Sequence, residues 1–504
     1  MEHIPKGAQA IGYQWLINHF KLIVIPYFRS SYLIDSGSTR SFKDIRQMIY
    51  LYDQDYALTN PDDPIQQLVF ALEHEGISLE IIAAAFTHIP SETIQTYITQ
   101  QPIGMYQRII WYLYEKLTAT KLPIADLQPE TYINLLNPEE YYTCTPIPEP
   151  RYGINDNLLG NLSFCPMVRK ADFLKAIEQK HIDRVTRDII EPYDQHILTL
   201  VSNALYRQEM EASFDIGKNR PNPQSVDHAI EFIKKQNTLS VLTEAILITL
   251  QNNLIIDEKK FNKAYRKTQN YIGIEQDIEH QTILHISPKP NVVHELITGL
   301  LASLERMIAS QVHPIVIATT LSFGLLLIHP FRDGNGRLHR FLINYVLHRT
   351  KFSPSDLIFP ISAIMLANLQ EYNKVLQYFQ KTLVDLISNY NLNDEGMLTV
   401  HQETTSFFRY IDYTVETEYI AACIETSIQV NLKNELVYQT KLDATKKELL
   451  KIVNIPDKID LFITLVTQNN GKLSQGKRKA QFAMLTDDDV NRMELVVQKN
   501  MMSK

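Results

Sequence analysis

Between Ile315 and Ile328 the chain is an almost unbroken apolar run of helix length, and Pro330 follows, which cannot continue a helical hydrogen-bond ladder. The pattern predicts a helix that ends at His329. Beyond Gly336 the period changes: Leu338, Phe341, Leu342, Tyr345 and Val346 fall at i, i+3, i+4, i+7 and i+8, the spacing of one buried helix face. Similar blocks predict helices from Pro64 to Glu75, Ser78 to Phe86, Ser362 to Phe379 and Ile459 to Val466. Punctuation rich in Pro and Asn separates others, at 137–150 and 155–161. Clean alternating runs are few and only 16 glycines occur in 504 residues, so the expectation is a mainly α protein, against a Rossmann or all-β architecture. Tyr106, Trp111, Tyr112 and Tyr114 stand at helical spacing, and a packed core is preferred there over a base-stacking platform.

The two central helices bracket the segment His329-Pro-Phe-Arg-Asp-Gly-Asn-Gly-Arg-Leu-His-Arg340. Its loop, Asp333-Gly-Asn-Gly336, feeds a helix N-terminus, where free N–H groups and the positive end of the helix dipole suit phosphate oxygens. Arg337 and Arg340, three apart, can fork onto the same anion. Asp333 is placed to hold Mg²⁺ shared with phosphate. Taken singly these features are bland, since Gly-Asn-Gly is most often a turn. Together they form equipment for a polyphosphate. The segment is not the nucleotide loop G-x-x-x-x-G-K-[ST], and a zinc site on His329 and Asp333 would want a further protein ligand.

Composition narrows the frame. With 45% hydrophobic residues the chain can bury substantial cores, and its length suits two to four domains. A net charge of −8 and a pI near 6.0 disfavour a generally basic nucleic-acid binder. Cys144, Cys165 and Cys423 are odd in number and far apart, which suits a reducing cytoplasm. No export signal or membrane segment is expected, the run at 315–328 being too short to span a bilayer; a translocated bacterial effector would escape this test.

The dodecapeptide resembles the Fic-domain signature, H-x-F-x-[D/E]-G-N-G-R-x-x-R, at every specified position. The resemblance implies an adenylyltransferase that moves AMP from ATP to a Ser, Thr or Tyr hydroxyl of a target protein, itself among the candidates, and releases pyrophosphate. It implies His329 as general base, Asp333 as Mg²⁺ ligand, Gly334, Asn335 and Gly336 as anion hole, Arg337 on the β/γ-phosphates and Arg340 on the γ-phosphate. Phe331 would plug the core beneath the loop. Relatives that transfer UMP, GMP or phosphocholine share the signature, and a non-catalytic nucleotide-binding or DNA-associated regulatory module is the alternative outside the enzyme class.

Further elements carry the resemblance outward. The stretch 273–290 stands where the family has a β-hairpin flap that pins the target, with Thr282, Ile283, Leu284 and His285 as candidates. Tyr372 and Asn373 stand where relatives line an adenosine pocket. Near 205–217, Ser213, Phe214 and Ile216 match an inhibitory-helix motif, [S/T]-x-x-x-E-[G/N], but Gly217 and Lys218 replace its Glu and Gly. In relatives that Glu pairs with the second signature arginine and serves removal of AMP. Its loss implies an enzyme without this clamp and argues against the reverse activity. The expected division is a helical N-terminal domain (1–185), a Fic domain (186–395) and a helical, winged-helix-like C-terminal domain (396–504). In the last, Lys472–Lys479 form a small basic cluster beside Asp487, Asp488 and Asp489, and a solvated face is preferred there over DNA contact.

Overall fold

The computed structural model describes residues 4–43, 47–218, 223–236, 239, 241–255, 263–275, 281–354, 357–393 and 395–502. The protein is mainly α, as the spacing of its apolar positions predicts. It groups into two compact units that cut across the expected three-way division. One holds 1–176, 239–350 and 369–420, and the other 177–238, 351–368 and 421–504.

At the centre of the first unit lie two consecutive helices, Pro314–Ile328 and Asn335–Arg349. Every residue of the first from Ile315 to Ile328 is buried, including Thr319, Thr320 and Ser322, whose hydroxyls turn back onto carbonyls of their own helix. An apolar helix without a polar face is what a central position demands. Leu338, Phe341, Leu342, Tyr345 and Val346 are all buried, as their spacing predicts.

The N-terminal region belongs to the same unit because small residues let it pack closely on this core. At Gly299, in the helix Val293–Ala309, a Cβ would lie 2.8 Å from the Cβ of Phe164. Ser303 Oγ donates to the Phe164 carbonyl at 2.8 Å, and Arg306 Nη2 reaches Asp156 Oδ1 at 3.0 Å. The region also corrects the helical expectation. It contains a four-stranded sheet, in spatial order Gln9–Ile11, Arg29–Leu33, Met48–Tyr52, Arg40–Lys43, and a three-stranded one, Ile133–Asn134, Ile154–Asp156, Ile147–Glu149. Arg29–Leu33 pairs in parallel with Met48–Tyr52 and buries Ser30 and Ser31, so no alternation of apolar and polar residues marks it. The expected helices at 64–75 and 78–86 form as Pro64–His74 and Leu79–Phe86, each opened by a side-chain cap, Asp63 and Ser78. Trp111, Tyr112 and Tyr114 are buried in the local core, with Tyr106 packed against it.

In the second unit the long helix Gln195–Ile216 packs on Ile361–Ala367, and buried Glu209 accepts from the Ser362 N–H and Oγ, both at 2.6 Å. The single helix expected from Ser362 to Phe379 is two, Ile361–Ala367 and Leu369–Leu386, broken at Asn368. The C-terminal helices close a small core around Phe462, Phe482 and Met493. Among the described residues of 396–504 the one named strand is Leu398–Val400, paired with Tyr390–Leu392, and the other named elements are helices. Arg478 pairs with Asp487 and Lys472 with Glu494, which spends part of the basic cluster internally. No helix among the described residues is long and apolar enough to cross a membrane.

Candidate functional site

The junction of the two central helices is a tight turn in which every carbonyl from Leu325 to Phe331 meets a donor. A helix leaves its last four carbonyls without intrahelical partners, and buried carbonyls need donors. His329 sits at the C-terminus of its helix in the left-handed region (φ 51, ψ 59), a conformation costing a non-glycine residue roughly 1–2 kcal/mol. Its own N–H donates to Leu325 O at 2.9 Å and its Nδ1 to Leu326 O at 3.2 Å. His285 Nε2 donates to Leu327 O at 3.1 Å. Arg266 takes the next three carbonyls: Nη2 donates to Ile328 O at 3.3 Å, Nε to His329 O at 2.8 Å, and its backbone N–H to Pro330 O at 2.8 Å. Asn335 Nδ2 donates to Phe331 O at 2.8 Å while its Oδ1 accepts the Phe331 N–H at 3.1 Å. Seven consecutive carbonyls thus have seven donors.

The histidine's tautomer follows. A carbonyl can only accept, so Nδ1 carries the proton and Nε2 keeps its lone pair. Burial pushes the ring's pKa down to about 4, with Arg266 adding to the effect. His285, whose ring lies 6.1 Å from that of His329, is pushed to about 3 by burial and then by His329. His329 is therefore a neutral base at neutral pH.

On the other side of the turn the chain presents an anion site. Gly334 has φ 85, where a side chain is strained, and a Cβ there would lie 3.1 Å from Ile255. It opens the helix Asn335–Arg349 with no side-chain cap, so the first-turn N–H groups of Asn335 and Gly336 have no intrahelical acceptor. Arg337 and Arg340 are both buried at this terminus, and Arg340 Nη1 lies 3.5 Å from where a Cβ of Gly336 would be. Burial lowers the pKa of Arg337, which Asp333 opposes and Arg340 reinforces. Two buried cations on one helical turn favour an anion between them. Asp333, partly exposed, accepts the Gly334 N–H at 2.7 Å and pairs with Arg337 at 3.5 Å; its carbonyl takes Gln251 Nε2 at 2.8 Å. Phe331 is fully buried beneath the loop.

The outlying residues are placed less uniformly. The flap is a hairpin, Tyr271–Glu275 with Gln281–Ile286, bulged between Ile272 and Gly273; its tip, 276–280, lies outside the described residues. Thr282 is exposed and Ile283 and Leu284 are half-buried, but His285 is fully buried and faces the C-terminal end of the helix Pro314–Ile328. Tyr372 is buried, its ring 6.4 Å from that of His339 and 6.1 Å from that of Tyr419, while Asn373 is exposed. In the second unit Ser213 is buried near the end of its helix, and Gly217 caps that end with an ordinary φ of −77. Spacing along the chain gave no sign of Arg266 or Gln251, which reach the turn from 63 and 82 residues upstream.

Residues 241–347 match the model of the Fic/DOC family. The chain is 25% identical over 219 residues to the protein adenylyltransferase fic-1 of Caenorhabditis elegans, covering 39% of this chain and 40% of that one. It is 32% identical over 90 residues to the protein adenylyltransferase Fic of Drosophila willistoni, covering 18% and 16%. It thus spans well under half the length of these curated relatives. Among solved structures it is similar to Fic-1 of C. elegans (residues 134–508; TM-score 0.34, 15% identity, 75% of this chain and 90% of that one). A Fic family protein from Desulfovibrio desulfuricans is another (TM-score 0.33, 16% identity, 64% and 84%). The complete signature, folded around the His329 turn, lies within the residues that match the Fic/DOC family model.

Proposed function

We propose that the protein is a protein adenylyltransferase that transfers AMP from ATP to a Ser, Thr or Tyr hydroxyl of a target protein. One observation carries the reading: within a single turn the structure joins a neutral histidine with a free Nε2 lone pair to an uncapped helix N-terminus flanked by two buried arginines. The hydroxyl oxygen attacks the α-phosphorus, the bond to the bridging oxygen breaks, and pyrophosphate leaves with the electron pair. His329 Nε2 takes the hydroxyl proton. Arg337 and Arg340 hold the β- and γ-phosphates, and the Gly334–Gly336 backbone offers its N–H groups to phosphate oxygens. Such a transfer leaves little covalent work to the protein beyond positioning and charge stabilisation.

Mg²⁺ fits this site through Asp333 alone. No group of three or more His, Cys, Asp or Glu able to hold a metal occurs among the described residues. A single carboxylate beside bound phosphate is the usual setting for Mg²⁺, where the ion offsets phosphate charge. The choice of adenine rests on the names of the relatives, since the signature reads phosphates and not the base. The reading is tested by incubation with labelled ATP and Mg²⁺, wild type against His329→Ala; no His329-dependent label on any protein would reject it.

The proton step has its own signature. Only neutral His329 accepts a proton, and the packed ring stays neutral down to about pH 4. The profile of kcat/KM is therefore expected to stay level from pH 7 to 5 and to fall through an acid limb near 4. A limb near 6.5, the value of a solvated imidazole, would show that the ring is not buried as described.

The reading includes an enzyme without the glutamate clamp, on the grounds of Gly217. Installing the glutamate is sterically open: the nearest atom to a Cβ at Gly217 is the Phe214 carbonyl oxygen at 3.4 Å. Gly217→Glu is expected to lower transfer by about tenfold, the order of a typical coupling between sites. An equal rate in initial-velocity assays would show that the clamp does not operate in this chain.

A further inference from the structure

Arg266 is a buried cation with an unusual set of partners. Its side chain and backbone donate to five carbonyls, those of Ile328, His329, Pro330, Pro288 and Thr268, and among the described residues no carboxylate pairs with it. A buried charge without a counter-ion costs several kcal/mol, and an apolar side chain would fill the same space without that cost. What the planar fork supplies instead is several donors in one fixed geometry. Three of the five carbonyls are consecutive and centre on His329, the residue in left-handed conformation. A strained backbone persists only where its surroundings over-determine it.

We propose that Arg266 is a positioning residue for the catalytic base: it fixes the strained His329 turn, and through Pro288 it ties that turn to the exit of the flap strand Gln281–Ile286. The inference rests on the role given to His329 under the proposed function. With the Ile328, His329 and Pro330 carbonyls held from one side, the imidazole keeps the register in which Nδ1 reaches Leu326 O and Nε2 stays open. The anion site is held separately, by Asn335 on Phe331 and by Gln251 on Asp333. Loss of Arg266 should therefore disturb the base and spare the nucleotide. Since the Pro288 carbonyl accepts from the same Nη2 that reaches Ile328, a peptide lying along the flap would act on the histidine through a shared anchor.

The test is Arg266→Lys, which keeps the charge and loses the fork, with Arg266→Met as its uncharged counterpart. In both, the Kd for ATP with Mg²⁺ should stay within about threefold of wild type while kcat falls about 100-fold, the scale of a misplaced catalytic group. Nitrogen NMR of ¹⁵N-histidine-labelled protein gives a readout independent of transfer. Wild type should show His329 as the Nδ1–H tautomer, and the variants a mixture of tautomers. An unchanged kcat, a parallel loss of ATP binding and kcat, or an unchanged His329 signal would each overturn the proposal. If wild type transfers no label, the adenylyltransferase reading fails, and the NMR comparison still decides whether Arg266 sets the histidine.

Discussion

Replacing His329 with alanine is expected to reduce transfer about 10²–10⁴-fold while leaving ATP bound. The side chain supplies the one open basic nitrogen in the turn, and general-base catalysis is worth about 10²–10⁴-fold. The residue does not carry the phosphate site, so the Kd for ATP should change little. Because position 329 has positive φ, His329→Asn is the better-matched control: asparagine tolerates the left-handed region yet has no base. Both variants should lose kcat together, as seen by incorporation of labelled AMP alongside calorimetric titration of ATP. An active His329→Asn would move the base elsewhere.

Asn335→Ala is expected to give a large loss of stability, although the residue contributes no apolar surface to the core. The amide is buried and satisfies both the N–H and the C=O of Phe331, itself fully buried. Alanine leaves two buried backbone groups unpaired, at about 1–3 kcal/mol each, so the loss should be about 2–6 kcal/mol. Asn335→Asp separates the two bonds: its carboxylate still accepts the Phe331 N–H but sets a second acceptor against the Phe331 carbonyl. It should therefore also be destabilised. Chemical denaturation of the three proteins checks this, and an Asn335→Ala midpoint equal to wild type would mean that the turn does not depend on the amide. Weaker ATP binding should accompany the loss, since the anion site shares this backbone.

The site was legible in the sequence to the extent that it is local. His329, Asp333, Gly334, Asn335, Arg337 and Arg340 fall within one short segment, and the helix-ending Pro330 with the renewed period after Gly336 places them on a turn before any coordinate is known. What supports the turn is not local. Arg266, Gln251 and His285 arrive from 42 to 82 residues upstream, and no spacing rule links a donor to the carbonyl it will meet at that separation. His285 shows the limit within a single strand. Its place in the hairpin is readable, but whether it faces outward or toward the helix Pro314–Ile328 depends on register, and a shift of one residue exchanges the faces. The N-terminal sheets escaped for a related reason: strands of two to five residues, with serines turned inward and parallel pairing, carry no alternation to read. The packing of the N-terminal region on the central helices rests on Gly160, in a loop, and Gly299, in a helix, where a side chain would strike Phe164, and a lone glycine announces nothing of the kind.

The proposed reaction transfers the nucleoside monophosphate, and His329 drives it. Parallel incubations with ATP labelled at the α- or at the γ-phosphate, in the presence of Mg²⁺, test it most directly. Label is expected on protein from α-labelled ATP only, with pyrophosphate released and the signal lost in His329→Ala. Label arriving from the γ-phosphate, or α-label that persists without His329, would contradict it.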